Sequence, residues 1–171
     1  MDQRALSRGV TAALILALAG ATTARGAGIG KGEFEPVAVP TLPMAIGDAT
    51  SIVRVEVQGE PTEGDVPVEV CEVYWGDFEN TGWVDPTYLV PDDTDVGSHY
   101  VRFEFHKGEQ YILLGWRGTG GVYKPFLHWN TSFGVLDVYK GKVDLSRLAE
   151  GPREIPIAEF RELVKRTKYA Y

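Results

Sequence analysis

Cysteine is almost missing from this chain: Cys71 stands alone among 171 residues. No intramolecular disulfide can form, so a hydrophobic core has to hold the fold by itself. A lone thiol within a strand pattern reads as a small buried hydrophobe, ahead of a reactive group or an intermolecular bridge. Histidine is scarce too, with only His99, His106 and His128. Positive charge is in deficit, with 17 Lys+Arg against 24 Asp+Glu and a net charge of −7. That balance lacks the basic footprint that nucleic acid or an anionic membrane surface requires. No serine stands in a G-x-S-x-G elbow, and no spacing pairs a nucleophile with a base. Long hydrophobic runs are absent as well. The apolar run GVTAALILALAGA at residues 9–21 has 13 residues, short of the roughly 20 that a membrane span needs.

What is present starts with that run. Arg4 and Arg8 precede it and the small-residue stretch TTARGAG follows, the layout of a secretory signal peptide. Residues 1–26 are therefore expected to be removed, by a cut after Ala21, Ala24 or Gly26, and the protein to be exported to the periplasm or beyond. No cysteine lies beside the cut, which excludes a bacterial lipoprotein anchor. Removal takes away Arg4, Arg8, Arg25 and Asp2 and leaves 145 residues with a formal charge of −9. Such a length fits one domain that buries roughly two-thirds of its unfolded surface.

Residues 27–47, rich in proline and glycine, predict an irregular leader. From residue 48 the strand period takes over. In residues 51–58, Val53, Val55 and Val57 alternate with Arg54, Glu56 and Gln58, a half-buried strand. Residues 66–75 alternate as well, but their phase slips between Val70 and Cys71, which predicts a β-bulge. Residues 76–97 predict a long loop, with a short strand at 83–90 possible inside it; loops of that length in compact domains tend to be functional or mobile. Residues 100–106 predict a strand with Val101, Phe103 and Phe105 on one face. QYILLGW, residues 110–116, is apolar on both parities, the mark of a central strand buried on both faces, with Trp116 turned to a core. RGTGG, residues 117–121, lacks the spacing and the Lys-Ser or Lys-Thr of a phosphate loop and reads as a hairpin turn. Strands at 122–129 and 133–139 follow, and Lys140-Gly141 turns tightly into 142–145. Asn130-Thr131-Ser132 matches a glycosylation sequon, a pattern that arises often by chance. Ile157, Phe160, Leu163 and Val164 recur at helical spacing within a predicted helix 156–168, with charges that complement its dipole. The fold expected is mainly β: a small OB-like or related barrel of five to seven antiparallel strands within residues 48–171, closed by an amphipathic C-terminal helix.

The runs VEVCEVYWGDF, KGEQYILLGW and SFGVLDVYKGKV resemble a pattern found in uncharacterised exported bacterial proteins, across about residues 49–143. That layout is similar to the OB-type barrel of netrin-like and metalloprotease-inhibitor modules. The resemblance implies a barrel. The chain lacks the N-terminal cysteine and disulfides with which such inhibitors engage catalytic zinc, so it does not imply that activity.

Two functional readings follow. The first is a non-catalytic, monomeric exported barrel that binds a protein or polymer partner through residues 76–97, with Trp83, Tyr88, Asp92, Asp93 and Asp95 as contacts and no cofactor. Aromatic anchors suit recognition of a partner or a sugar. Against this, the two aromatics would fold back to cover a barrel end. The second reading is a metal-dependent periplasmic or secreted enzyme using His99, His106 or His128 with nearby acids. Regular alternation sends His99 and His106 to opposite faces, against a shared three-histidine site. The acids of PDDTDVG fail the EF-hand spacing in both registers that place one required residue correctly.

Overall fold

A computed structural model describes residues 37–60, 64–77, 79, 81–91, 98–128 and 130–170. The valine alternation forms β1 (Ser51–Val57), whose Val53, Val55 and Val57 turn fully inward while Arg54 and Glu56 lie half-buried outside. β2 (Val66–Trp75) pairs antiparallel with it. Pairing skips Cys71, since Arg54 faces Glu72 and Val55 faces Val70, and it skips Tyr74 as well. The first skip is the bulge that the phase slip predicts. It lets Val70 and Val73 pack on one cluster while Tyr74 and Trp75 pack on another.

β3 (Thr81–Val84) follows β2, and β4 (Thr87–Pro91) with β5 (Ser98–Arg102) forms a separate two-stranded sheet. β6 (Gln110–Arg117) is the central strand expected of QYILLGW. Tyr111 and Leu113 enter one buried cluster, while Ile112 and Leu114 enter the other. With β7 (Val122–Pro125) the sheet closes in the order β1-β2-β3-β7-β6 and back to β1. This is a five-stranded barrel of OB type. Four of its five pairings are antiparallel; the closing pair β3–β7 is parallel. β8 (Val135–Tyr139), β9 (Lys142–Asp144) and β10 (Glu154–Pro156) extend the sheet from the free half of the β6 edge. Lys140 and Gly141, both at positive φ, make the tight turn between β8 and β9. Gly115 lies where β1, β6 and β7 meet, paired with both Ser51 and Pro125. A Cβ there would sit 2.0 Å from the Lys124 carbonyl oxygen, so only glycine fits.

Two cores share this one sheet. The barrel interior holds the valines of β1 and β2 with Val84, Tyr111, Leu113, Tyr123 and Val135, and Phe105 packs among them. Phe105 and Phe103 lie 5.1 and 6.5 Å from the Tyr111 ring, so residues just after β5 supply the aromatic cover of the interior. The second core lies between the outer sheet face and two helices, α1 (Leu42–Asp48) and α2 (Ile157–Lys168). α2 occupies the expected span and buries Phe160 and Val164, with Glu159 in its first turn and Lys165, Arg166 and Lys168 in its last. Lys168 donates to the carbonyls of Gly47 (2.9 Å) and Ala49 (2.6 Å), tying α2 to the end of α1. Arg161 holds Glu72 of β2 at 2.6 and 2.7 Å. Among the described residues no helix is long and apolar enough to cross a membrane.

Several local expectations change. Within the stretch expected to be irregular, Leu42–Asp48 is helical: Pro43 suits a first turn, and Leu42, Ala45 and Ile46 make a short apolar stripe. Cys71 is exposed rather than buried, because the bulge leaves it without an inward-facing pair position. Trp116 is 46 % exposed, lying near the end of β6 on the parity of Ile112 and Leu114 and resting against Phe126 at 5.7 Å. The strand expected over 100–106 ends at Arg102, and Phe103 instead donates its N–H to Pro86.

Candidate functional site

Two open grooves border the turn between β6 and β7. Gly120 and Gly121 both adopt positive φ, and Gly118 donates to the Val122 carbonyl at 2.8 Å, so the RGTGG hairpin curls back on itself. One side of this turn borders an open groove of about 710 Å³ lined by Thr50, Ser51, Asp77, Glu79, Arg117 and the turn glycines. A second groove of about 320 Å³ is lined by Gln58, Pro67, Thr81, Gly82 and Trp83. Both grooves include Glu79, Gly120 and Gly121.

Arg117 forms an ion pair with Glu79 at 2.9 Å, beneath Gly121, where a Cβ would press on both side chains. The Arg117 guanidinium also lies 6.0 Å from the Tyr123 ring centroid. Three polar atoms in this neighbourhood are buried with no hydrogen-bond partner among the described residues: Ser51 Oγ, Arg117 Nε and the Tyr123 hydroxyl. Ser51 is only 4 % exposed and Tyr123 only 2 %. Burial pushes the Tyr123 phenol up, opposed by Arg117 and by the backbone of Glu79. An unsatisfied buried polar group costs about 1–3 kcal/mol, so the fold carries a local penalty here. The two other such atoms, Arg54 Nε and the Tyr74 hydroxyl, belong to side chains beside Glu72 on β2.

Of the residues that sequence reasoning singles out, Trp83 lies in the smaller groove at 40 % exposure, on the barrel strand β3 rather than in a loop. It pairs with Pro67 on one side and Val122 on the other. Tyr88 is half-buried on β4, where it pairs with Val101 of β5. Asp92, Asp93 and Asp95 lie outside the described residues. His99 is on β5, His106 follows it as an exposed residue, and His128 lies beyond β7 with Nδ1 2.7 Å from Asn130 Oδ1. Among the described residues, no three His, Cys, Asp or Glu side chains converge into a group able to hold a metal ion. Asn130 also exchanges two hydrogen bonds with the backbone of Val37. Ser51, Glu79, Arg117 and Tyr123 escape sequence reasoning because chain separation hides their meeting; the glycine-rich turn after Arg117 is the one local signal.

Fold and grooves together define a small closed β-barrel with an aromatic-bearing polar face. No protein-family model matches the chain, and no curated protein matches its sequence.

Proposed function

We propose that the chain is an exported, monomeric, non-catalytic β-barrel protein that binds a protein or polymer partner through the face carrying Trp83. One observation carries this reading: a large aromatic ring stands partly exposed in an open groove that shares Glu79, Gly120 and Gly121 with a larger groove lined by Asp77 and Arg117. Binding sites take this form, with an aromatic anchor and a few placed polar groups in a concavity of about 300–1,000 Å³. Export rests on the layout of residues 1–26.

The test is capture from native-host extract, using protein without residues 1–26 as bait beside Trp83→Ala. A partner retained by the parent and lost by a variant with an unchanged melt supports the reading. Equal capture by both would sink it. Cell fractionation checks export, sedimentation checks the monomer, and stoichiometric zinc, copper or iron in the purified protein would favour metal-dependent chemistry instead.

A further inference from the structure

We infer that the barrel is a clamshell that opens at the β3–β7 seam, with β1 as its spine and two ion pairs as its latches. This motion does not depend on what binds at the Trp83 face. Pairing around the barrel is uneven. β1 pairs at six positions with β2 and at six with β6. β2 and β3 share four pairs, and β6 and β7 share three. The seam has two, Trp83 with Val122 and Val84 with Tyr123. They are parallel, a pairing slightly less stable per residue than the antiparallel kind. Each seam strand therefore has a better-paired neighbour to stay with. β3 keeps β2, and β7 keeps β6 in a hairpin that Gly118 also closes by donating to the Val122 carbonyl at 2.8 Å. Opening at the seam breaks the fewest strand pairs.

An ion pair stands at each end of the seam. Before β3, Glu79 meets Arg117 of β6 at 2.9 Å; after it, Asp85 meets Lys124 of β7 at 3.4 Å. Asp85 also donates its N–H across the seam to the Tyr123 carbonyl at 2.9 Å. Glu79 is mostly exposed and Lys124 partly so, a setting in which ion pairs are modest and salt-sensitive. Such latches hold the seam without locking it. The two open grooves meet at Glu79, Gly120 and Gly121, so solvent borders this end of the seam from both sides. The closed seam also seals polar atoms away from that solvent. Arg117 Nε and the Tyr123 hydroxyl are buried with no hydrogen-bond partner among the described residues. Gly82 of β3 lies so near the Tyr123 ring that a Cβ there would sit 2.9 Å from it, so lifting β3 uncovers the phenol. Water then satisfies the hydroxyl, which offsets part of the strand pairing lost.

Residue-resolved hydrogen exchange on protein without residues 1–26, at neutral pH and in low urea, tests the motion. The Asp85 amide, bonded across the seam, should exchange about a hundredfold faster than amides in the middle of β1 after correction for intrinsic rates. Its rate should barely respond to low urea, since local opening exposes little surface. The Gly118 amide should stay protected, because its bond lies within the hairpin that moves as a unit. Raising salt from about 0.05 to 0.5 M should speed the Asp85 amide about two- to fivefold. Glu79→Gln and Lys124→Met, each removing one latch, should do the same at low salt and leave the β1 amides unchanged. Three results overturn the clamshell. The Asp85 amide could exchange only together with the β1 amides, with the same steep urea dependence. Gly118 could open along with Asp85, which would mean a fraying turn. Or both variants could leave the Asp85 rate at its parent value.

Discussion

At the scale of single residues, the bulge at Cys71 sets the chemistry of the only thiol. The extra residue has no partner on β1, so its side chain escapes the barrel and its sulfur lies 3.9 Å from the Glu69 carbonyl. Partial burial of the sulfur pushes the thiol above its ordinary value of 9.0; Arg54 opposes this, and Glu56, Glu69 and Glu72 add to it. The thiolate is the nucleophile, so Cys71 should be reachable yet sluggish. Alkylation of the native protein should titrate with a midpoint above 9.0, and at pH 8 it should be slower than in the unfolded chain. A midpoint below that value would contradict the partial burial of the sulfur, the leading cause of the shift. The phase slip in residues 66–75 makes the bulge legible from sequence, but not the direction in which Cys71 leaves the strand. Trp116 escapes sequence reasoning for a related reason. Its parity is that of Ile112 and Leu114, and parity says nothing about where the covering layer stops.

At the scale of elements, long periodic segments were legible and short ones were not. β1, β6 and α2 each carry enough repeats for the period to declare itself, and they formed where expected. β3 has four residues, including Gly82, and its parallel pairing with β7 depends on a distant strand. No local pattern announces such a closure. The β4–β5 hairpin is anchored by Asp85, which accepts from the Thr87 N–H at 2.9 Å and from its hydroxyl, and lies 3.4 Å from Lys124 of β7. Burial would raise the Asp85 carboxyl, but Thr87 and then Lys124 outweigh it and hold the group below its ordinary 3.8. A depressed folded value contributes stability above the unfolded value and loses it as pH falls through the folded one. Amide exchange at the hairpin base, corrected for intrinsic rates, should therefore speed up as pH drops below 3.8, and Asp85→Asn should remove that dependence. On the other side of the sheet, Phe160 of α2 is fully buried and meets Tyr74 edge-on at 5.2 Å. Phe160→Ala should cost about 3–5 kcal/mol in a denaturant melt. A loss under about 1 kcal/mol would mean that α2 adds little to the fold.

At the scale of the whole molecule, one sheet serves two cores, and its aromatic residues divide into cover and contact. Sequence reasoning leaves open whether Trp83 and Tyr88 recognise a partner or cap the barrel, because both lie in a stretch without a clear period. The described structure gives interior cover to Phe105 and Phe103, which pack around Tyr111 with a 4.8 Å separation between the two phenylalanine rings. Trp83, on the barrel wall, keeps two-fifths of its surface open. The two roles predict opposite ledgers under mutation. Phe105→Ala empties a site inside the valine cluster and should cost about 3–5 kcal/mol. Trp83→Ala removes a ring that faces a groove, and its cost should stay near 1 kcal/mol, toward the surface end of the range. Paired urea melts of the two variants decide the matter, with comparable slopes confirming that the unfolded states match. A Trp83→Ala loss as large as that of Phe105→Ala would make the indole a structural wedge, and the face around it would lose its strongest claim to a ligand. The small loss expected leaves an aromatic ring held at a groove by strand pairing with Pro67 and Val122, available for contact without being needed to keep the barrel closed.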